Sequence, residues 1–141
     1  MEIAAAEAVF PCTLKIIPGC IFRLNDPIIL GVEVVQGILR VGTPICVPRN
    51  EFIDVGQVAR IEKDFMPVYN AMKGQKVAIK IINNSPEEQQ KLNGMNIDFG
   101  DLLVSHISRR SIDALKTHYR HSLSMNDWRL VVKLKKIFNI Q

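Results

Sequence analysis

The sequence predicts a mainly β fold with α, namely a closed antiparallel β-barrel followed by two C-terminal α-helices. Over residues 10–107, short β-branched runs are separated by Gly, Pro, Asn and Asp, which is typical of strands and turns. Over residues 108–141, apolar residues recur at the 3.6-residue spacing of helices. We therefore expect a β-barrel over residues 1–107 and a two-helix extension over residues 108–141, packed together as one compact unit.

A series of apolar runs predicts the strands of the barrel. They are residues 12–17, 28–36, 38–41, 44–47, 55–61, 75–82 and 102–107. We expect the first strand to end at Pro18 and Gly19, and we expect tight turns at Gly37 and Gly42 to produce a meander. Residues 75–82 alternate apolar and polar side chains, which indicates one buried face. Many short antiparallel strands close most economically as a barrel, because closure removes exposed edges.

Residues 83–100 interrupt this pattern with the longest stretch that lacks a clear periodicity. The stretch contains Asn, Ser, Pro, Glu and Gln in succession, followed by two glycines. The pattern predicts a polar surface loop, and loops of this length are often functional or mobile.

The first predicted helix is capped by Ser108 and continues to about His121. At about 100° per residue, one side of the helix is an apolar stripe and the adjacent side is a basic ridge that also carries Asp113. The stripe consists of Ile112, Leu115, Tyr119 and Leu123, and the basic ridge consists of Arg109, Lys116 and Arg120. The ridge is either a binding surface or a solvated face in which Asp113 offsets its basic neighbours.

The second predicted helix begins after Ser124, which forms a capping box with Asp127 in place of the usual Glu or Gln, and continues to about Phe138. Its core stripe is Leu130, Val131, Leu134, Ile137 and Phe138. Trp128 falls outside this stripe, with Lys135 beside it on the helical wheel. Trp128 therefore either packs through a second buried face or anchors a partner in a groove rimmed by lysines.

Positive charge is concentrated in the last part of the chain. Residues 103–141 contain eight Lys or Arg and two Asp, a net charge of +6, whereas residues 1–102 carry a net charge of −2. A field at one end of a small protein indicates an acidic partner, such as a nucleic acid or an acidic peptide tail.

Several classes of protein are disfavoured by the sequence. No apolar run approaches the roughly 20 residues that span a bilayer, and residues 1–10 lack a secretion signal, so we expect a cytoplasmic protein with no membrane partner. Cys12, Cys20 and Cys46 have no CxxC spacing, which favours reduced packing cysteines over a disulfide or metal site. There is no Gly-rich loop for a nucleotide and no nucleophile motif near a histidine, so we expect no catalysis and no cofactor.

Four segments carry a resemblance to a known family. They are Asn25-Asp-Pro-Ile-Ile-Leu-Gly-Val, Gly37-Ile-Leu-Arg-Val-Gly-Thr-Pro-Ile-Cys-Val-Pro, Val104-Ser-His-Ile-Ser-Arg-Arg-Ser-Ile-Asp-Ala-Leu-Lys and Asp127-Trp-Arg-Leu-Val-Val-Lys-Leu-Lys-Lys-Ile-Phe. In this order they strongly resemble the C-terminal domain, domain IV, of eukaryotic translation initiation factor 5B, a relative of bacterial initiation factor 2. The resemblance extends over residues 8–141 and implies a translation-factor-type barrel within a GTPase whose GTPase domain lies far upstream.

The resemblance also implies partners and the residues that meet them. In the family, this domain meets the acidic C-terminal tail of initiation factor 1A and the acceptor end of initiator methionyl-tRNA, and the parent factor joins ribosomal subunits. By position, the candidates for tail binding are Arg109, Arg110, Lys116, Arg120, Trp128, Lys133, Lys135 and Lys136. The candidates near tRNA are Lys63 and Lys76, together with the loop residues Gly94, Met95 and Asn96.

That loop departs from the family pattern. The family usually reads Gly-Arg-His-Phe where this chain reads Gly94-Met95-Asn96-Ile97, so a cation and an imidazole are replaced by neutral groups. If the loop touches phosphate, the change implies weaker tRNA binding. Two alternatives stay open beside the tail-binding hypothesis: a module that mainly binds tRNA or rRNA, and a structural cap of the parent factor. The sequence does not distinguish an excised domain from a natural short protein, nor does it give the oligomeric state.

Overall fold

A computed structural model describes residues 3–24, 27–48, 52–83, 85–93 and 101–141. Within these ranges, eight strands follow a short 3₁₀ helix at Ala5–Glu7, with one helix between the last two strands and two helices at the end. The strands are β1 (Cys12–Arg23), β2 (Ile28–Arg40), β3 (Pro44–Val47), β4 (Ile53–Lys63), β5 (Met66–Val68), β6 (Asn70–Met72), β7 (Lys76–Ile82) and β8 (Leu102–Ser105). The helices are α1 (Pro86–Asn93), α2 (Arg109–His118) and α3 (Met125–Ile137).

Six of these strands form a closed antiparallel barrel. Their order is β1-β8-β3-β4-β7-β2, and β2 pairs with β1 to complete the ring. β6 extends the far end of β2, and β5 forms a hairpin with β4. The prediction of a closed antiparallel barrel followed by two helices is therefore confirmed.

The interior of the barrel is apolar. In β7, Val77, Ile79 and Ile81 are buried while Lys76 and Lys80 are exposed, as the alternation in the sequence predicts. The strands around it supply further fully buried aliphatic side chains, among them Leu14, Ile16, Leu30, Leu39, Ile61 and Leu103. Burial of this much aliphatic surface is the main favourable term that holds the barrel together.

Two predicted turns are wrong, because strands continue through them. β1 continues past Pro18 and Gly19 to Arg23, with its register against β2 shifted between Ile16 and Ile21. β2 continues through Gly37, which has a φ of +80° and pairs with Cys12. A Cβ at this position would lie 2.0 Å from the carbonyl oxygen of Pro11, so glycine permits close approach of two backbones rather than a chain reversal.

The prediction of an unstructured polar loop over residues 83–100 is also wrong in part. The helix α1 begins at Pro86, and the side chain of Ser85 accepts a hydrogen bond from the backbone N–H of Glu88 at 3.3 Å. Ser, Pro and Glu in this order are a start signal for a helix. Because α1 is short and carries few apolar residues, its periodicity is weak. β5 and β6, of three residues each, were likewise not predicted.

The helices α2 and α3 pack against the outside of the barrel through a second apolar cluster, which we term the seam. Its buried members are Phe10, Cys46, Val104, Ile107, Ile112, Leu115, Leu123, Leu130, Val131 and Leu134. At one end of the seam, the Arg40 guanidinium lies 4.3 Å from the ring centre of Phe10 and just over 5 Å from those of Tyr69 and Tyr119. These cation–π contacts join four separate segments. No helix within the described ranges has the length and apolarity required to cross a membrane.

Candidate functional site

The basic helix α2 begins as predicted. Ser108 is its N-cap, and its side chain accepts a hydrogen bond from the backbone N–H of Ser111 at 3.1 Å. In return, the Ser108 N–H donates to the Ser111 hydroxyl at 2.8 Å. The helix ends at His118, earlier than the predicted His121, and Tyr119 is its C-cap. The predicted apolar stripe faces the seam, because Ile112 and Leu115 are buried and Tyr119 packs against the seam.

The cations of α2 differ in how far they are already neutralised. Arg109 forms an ion pair with Asp113 at 2.8 Å and also donates to the carbonyl oxygen of Gln141. Arg110 points elsewhere and pairs with Glu7 at 2.5 Å, and this hydrogen bond holds the pKa of the Glu7 carboxyl below its ordinary value. Lys116 and Arg120 are exposed and pair with no carboxylate in the described part of the chain. They are the members of the basic ridge that remain available to an acidic partner.

Helix α3 begins with the predicted capping box. The Ser124 side chain accepts from the Asp127 N–H at 3.1 Å, and the Asp127 carboxylate accepts from the Ser124 N–H at 2.9 Å. Leu130, Val131 and Leu134 are buried in the seam. Ile137 and Phe138, predicted as core, are partly buried and pack against the seam.

Trp128 lies at the border between the seam and solvent. Its ring packs against the seam and is partly buried, and its indole N–H donates to the carbonyl oxygen of Arg120 at 3.4 Å. Trp128 thus contacts the chain just after α2, so it lies on the side of α3 that faces α2. Lys135, seven residues further on, lies on the same side of α3 and is also partly buried. Lys136 and Val132 are exposed on the outer face.

The opposite side of α3 lines a groove between this helix and β2, which we term the α3 groove. It has a volume of ≈ 730 Å³. Its apolar floor includes Ile38, Met72 and Leu130, and its rim is formed by Lys73, Asn126, Asp127, Arg129 and Lys133. Three cations therefore face one carboxylate, and that carboxylate already accepts the N-cap hydrogen bond from Ser124. Lys73, Arg129 and Lys133 form no ion pair within the described residues.

The eight residues predicted for tail binding therefore do not face one groove. Lys133 lines the α3 groove, whereas Trp128 and Lys135 lie on the α2 side of α3. Two cations in the α3 groove, Lys73 and Arg129, were not among the predicted residues. Arg129 and Lys133 are four residues apart on one helix, so their spacing in the sequence could have indicated that they lie on the same face. Lys73 is brought near them only by the pairing of β2 with β6, which sequence spacing does not reveal.

The two predicted tRNA-side lysines lie at the same end of neighbouring strands, because the end of β4 pairs with the start of β7 through Glu62 and Ala78. Lys63 ends β4 and precedes a two-residue turn at Asp64 and Phe65, both with positive φ values of 52° and 66°. Phe65 is 95% exposed. Its positive φ is unusual for an aromatic residue. Lys76 begins β7, where it is exposed and opposite Glu33 of β2. Gly94, Met95 and Asn96 lie outside the described residues.

A third cluster lies at the edge of the seam, where the barrel wall meets the end of α3. The His106 Nδ1 atom lies 2.6 Å from an Asp54 carboxylate oxygen, and the imidazole stacks on the Phe138 ring at 4.9 Å between centres. The Cys46 thiol is buried beside them, and this burial raises its pKa to about 12. The ligand atoms of Cys46, Asp54 and His106 all lie within 4.8 Å of one another.

Comparisons with known proteins agree with the fold. A family model described as elongation factor Tu domain 4 matches residues 10–104. The chain is 48% identical over 133 residues to eukaryotic translation initiation factor 5B of Homo sapiens, covering 94% of this chain and 11% of that protein. It is 42% identical over 146 residues to the Schizosaccharomyces pombe factor of the same name, covering 99% of this chain and 13% of that protein. The chain therefore spans little more than a tenth of the length of these relatives.

A solved structure supports the same architecture. The crystal structure of GDP-bound aIF5B from Aeropyrum pernix superposes with a TM-score of 0.77 at 23% identity, over 96% of this chain and 21% of that chain. At this identity the likeness shows the fold, and the sequence relatives carry the family assignment. The chain belongs to the elongation factor Tu domain 4 family and is a domain IV of the kind found in translation initiation factors 5B and 2.

Proposed function

We propose that this chain is a non-catalytic module of a translation initiation GTPase, which binds the acidic C-terminal tail of initiation factor 1A and the acceptor end of initiator methionyl-tRNA during ribosomal subunit joining. The family membership supports a role in translation initiation. In this proposal the chain contacts the ribosome as a part of the parent factor, in the cytoplasm. The barrel of residues 1–107 approaches tRNA, and the helical extension of residues 108–141 binds the tail.

The observation that carries the tail proposal is the α3 groove. Lys73, Arg129 and Lys133 surround an apolar floor and form no ion pair within the described residues. An extended tail that mixes Asp with Ile would present carboxylates to the rim and aliphatic side chains to the floor. Charge complementarity of this kind sets specificity and association rate, and its effect weakens as salt screens the charges.

The basic ridge and Trp128 offer a second location for the same partner. Lys116 and Arg120 are exposed, and the Arg120 carbonyl oxygen accepts the indole N–H of Trp128. The ridge lies on the α2 side of α3, whereas the groove lies on the β2 side. We favour the groove, because its cations surround apolar surface, whereas Trp128 is largely engaged by its own chain.

Titration with an Asp/Ile-rich peptide distinguishes the two locations. We expect Lys133→Glu and Arg129→Glu each to weaken binding at least tenfold at low salt, since each replaces an attraction with a repulsion. Lys116→Glu is the matched variant on the ridge, and Lys80→Glu on the outside of β7 is a control for net charge. Equal weakening by all four variants would mean that peptide binding depends only on the net charge of the protein, and this result would contradict a groove site.

A module that mainly binds tRNA or rRNA is the competing function. The exposed Phe65 beside Lys63 favours it, because an aromatic ring next to a cation is a surface on which an unpaired base stacks. Comparing salt slopes for tRNA and peptide separates the two functions, since each neutralised phosphate steepens the slope. A steep slope for tRNA that Phe65→Ala and Lys63→Ala both reduce, without any measurable peptide affinity, would favour the nucleic-acid function.

A purely structural cap is the remaining alternative. The packing of Trp128 against the seam means that Trp128→Ala will cost some stability in any case. Under the cap alternative, the loss of stability is the only effect. Under the tail proposal, Lys133→Glu weakens the peptide complex while the unfolding midpoint of the free domain changes little, because Lys133 is exposed.

A further inference from the structure

The cluster of Cys46, Asp54 and His106 is positioned by the sheet rather than by a flexible loop. Cys46 on β3 and Asp54 on β4 are direct cross-strand partners, so their side chains project on the same side of the barrel wall. Val104 of β8 pairs with Cys46 from the other side. His106 follows that strand, and its backbone N–H donates to the Pro44 carbonyl oxygen at 2.9 Å. Three neighbouring strands therefore converge on one spot.

All three side chains are of types that bind zinc in proteins. Zn²⁺ is bound tetrahedrally by cysteine sulfur at about 2.3 Å, by histidine nitrogen at about 2.0 Å and by carboxylate oxygen at about 2.0–2.2 Å. Ligand atoms around such an ion lie roughly 3–4 Å from one another by this geometry. The atoms here already lie within 4.8 Å of one another. Small side-chain rotations are therefore enough to bring them to a common ion.

The surroundings provide a route to the site and a fourth position. A cavity of ≈ 380 Å³ opens beside Asp54 and His106. Both residues are partly exposed, whereas Cys46 is buried. An ion entering from the cavity meets the carboxylate and the imidazole first and the thiol last, and water from the cavity completes the tetrahedron. Stacking on Phe138 holds the plane of the imidazole in place.

We propose that Cys46, Asp54 and His106 form a binding site for Zn²⁺ or a similar thiophilic divalent ion, with water as the fourth ligand. The ion binds His106 Nδ1 in place of the Asp54–His106 hydrogen bond, so the proton of the neutral imidazole is then on Nε2, and the Cys46 thiol releases its proton to solvent as it becomes a thiolate ligand. The bound ion cross-links β3, β4 and the segment that leads into α2. The site would therefore join the barrel wall to its helical cover.

The opposing interpretation is an Asp–His hydrogen bond that lies by chance beside a packing cysteine. Co²⁺ distinguishes the two, because a thiolate ligand produces an intense charge-transfer band that oxygen and nitrogen ligands do not. We expect the full chain to bind one Co²⁺, with this band, and we expect Zn²⁺ to displace it. Cys46→Ala should abolish the band, whereas Cys20→Ser, at a partly exposed cysteine outside the cluster, should retain it.

Two further variants keep the test decisive if Cys46→Ala fails to fold. Asp54→Asn and His106→Gln leave the thiol in place and alter partly exposed side chains. Each should weaken Co²⁺ binding at least tenfold, with circular dichroism confirming the native fold. Absence of a thiolate band in the wild-type chain would overturn the proposal. A band that survives both variants, or that depends on Cys20, would also overturn it, because the ion would then be bound by a thiol alone.

Discussion

The barrel interior and the seam are both buried, but they are built from different chemistry. The interior is lined by aliphatic side chains, and among the residues that the structure describes its buried members include Cys12 and no aromatic ring. The seam contains Phe10, Tyr119 and Trp128 and has the Arg40 guanidinium at one end and the His106–Asp54 pair at the other. Aliphatic packing tolerates substitution as long as volume is kept, whereas stacked rings and ion pairs need one geometry. The interior therefore stabilises the domain, and the seam fixes where the basic helices lie.

The largest expected effect comes from a substitution that disrupts the packing of the barrel interior and leaves the seam intact. Leu103 and Leu102 are neighbours on β8, and Leu103 is fully buried whereas Leu102 is 45% exposed. We expect Leu103→Ala to lower the free energy of unfolding by about 3–5 kcal/mol, because it leaves a cavity in a closed core. Leu102→Ala should cost less than about 1 kcal/mol. Denaturant unfolding of both variants measures the contrast, and equal losses would mean that the interior is not the main source of stability.

The second largest effect is expected from a substitution at the place where the barrel and the seam meet. A Cβ at Gly37 would lie 2.0 Å from the Pro11 carbonyl oxygen and 2.9 Å from a Leu130 methyl group of α3. We expect Gly37→Ala to cost about 2–4 kcal/mol, from positive φ together with overpacking. Gly42→Ala is the control, since Gly42 has a φ of +95° but nothing within 4 Å of its Cβ position, and it should cost only about 1 kcal/mol. Similar unfolding midpoints for both variants would contradict the close approach.

A smaller effect concerns the helical cover alone. Ser124 caps α3 through its hydroxyl, whereas the nearby Ser122 is exposed and its side chain forms no hydrogen bond with any residue that the structure describes. We expect Ser124→Ala to destabilise the domain by about 1 kcal/mol and Ser122→Ala to have no measurable effect. Thermal unfolding compares them, and hydrogen exchange should locate the loss in the first turn of α3. A loss spread over the barrel strands would show that the cap supports more than this helix.

The smallest effect depends on pH. The ion pair with Arg110 lowers the pKa of Glu7 from 4.5, so its contribution to stability is present above that pH and is lost as the pH falls through the folded-state pKa. Because both side chains are exposed, we expect only a small contribution. The unfolding temperatures of the wild type and Glu7→Gln should differ slightly near neutral pH and converge in acid. Arg110→Gln should abolish the same pH dependence; if it does not, another group is responsible.

Local signals in the sequence predicted the parts of this fold that depend on neighbours along the chain. The cap at Ser108, the capping box at Ser124 and the alternation in β7 all follow from side chains a few residues apart. The helix α1 also had such a signal at Ser85 and Pro86, but its low apolar content hid the periodicity. Sequence-based prediction therefore succeeds where a local rule and the burial pattern agree.

The features that escaped prediction depend on register between distant strands. In the sequence, Gly37 suggests a turn. The structure shows instead that its backbone lies directly against that of Pro11. Lys73 joins the α3 groove only because β6 pairs with β2. Cys46 and Asp54 come together only through the pairing of β3 with β4. Spacing along the chain contains none of this information, since a shift of register by one residue would move each side chain to the opposite face.

The strand order has a consequence for the synthesis of the chain. β8 lies between β1 and β3, so the barrel cannot close until Leu102–Ser105 has left the ribosome. Until then, β1 and β3 each present an open edge, and open edges are sites of mispairing. The barrel should therefore close only after β8 has been made, and closure places β8 beside β1. A substitution that weakens β8 would prolong the interval in which a nascent chain can aggregate, even where the finished domain remains stable.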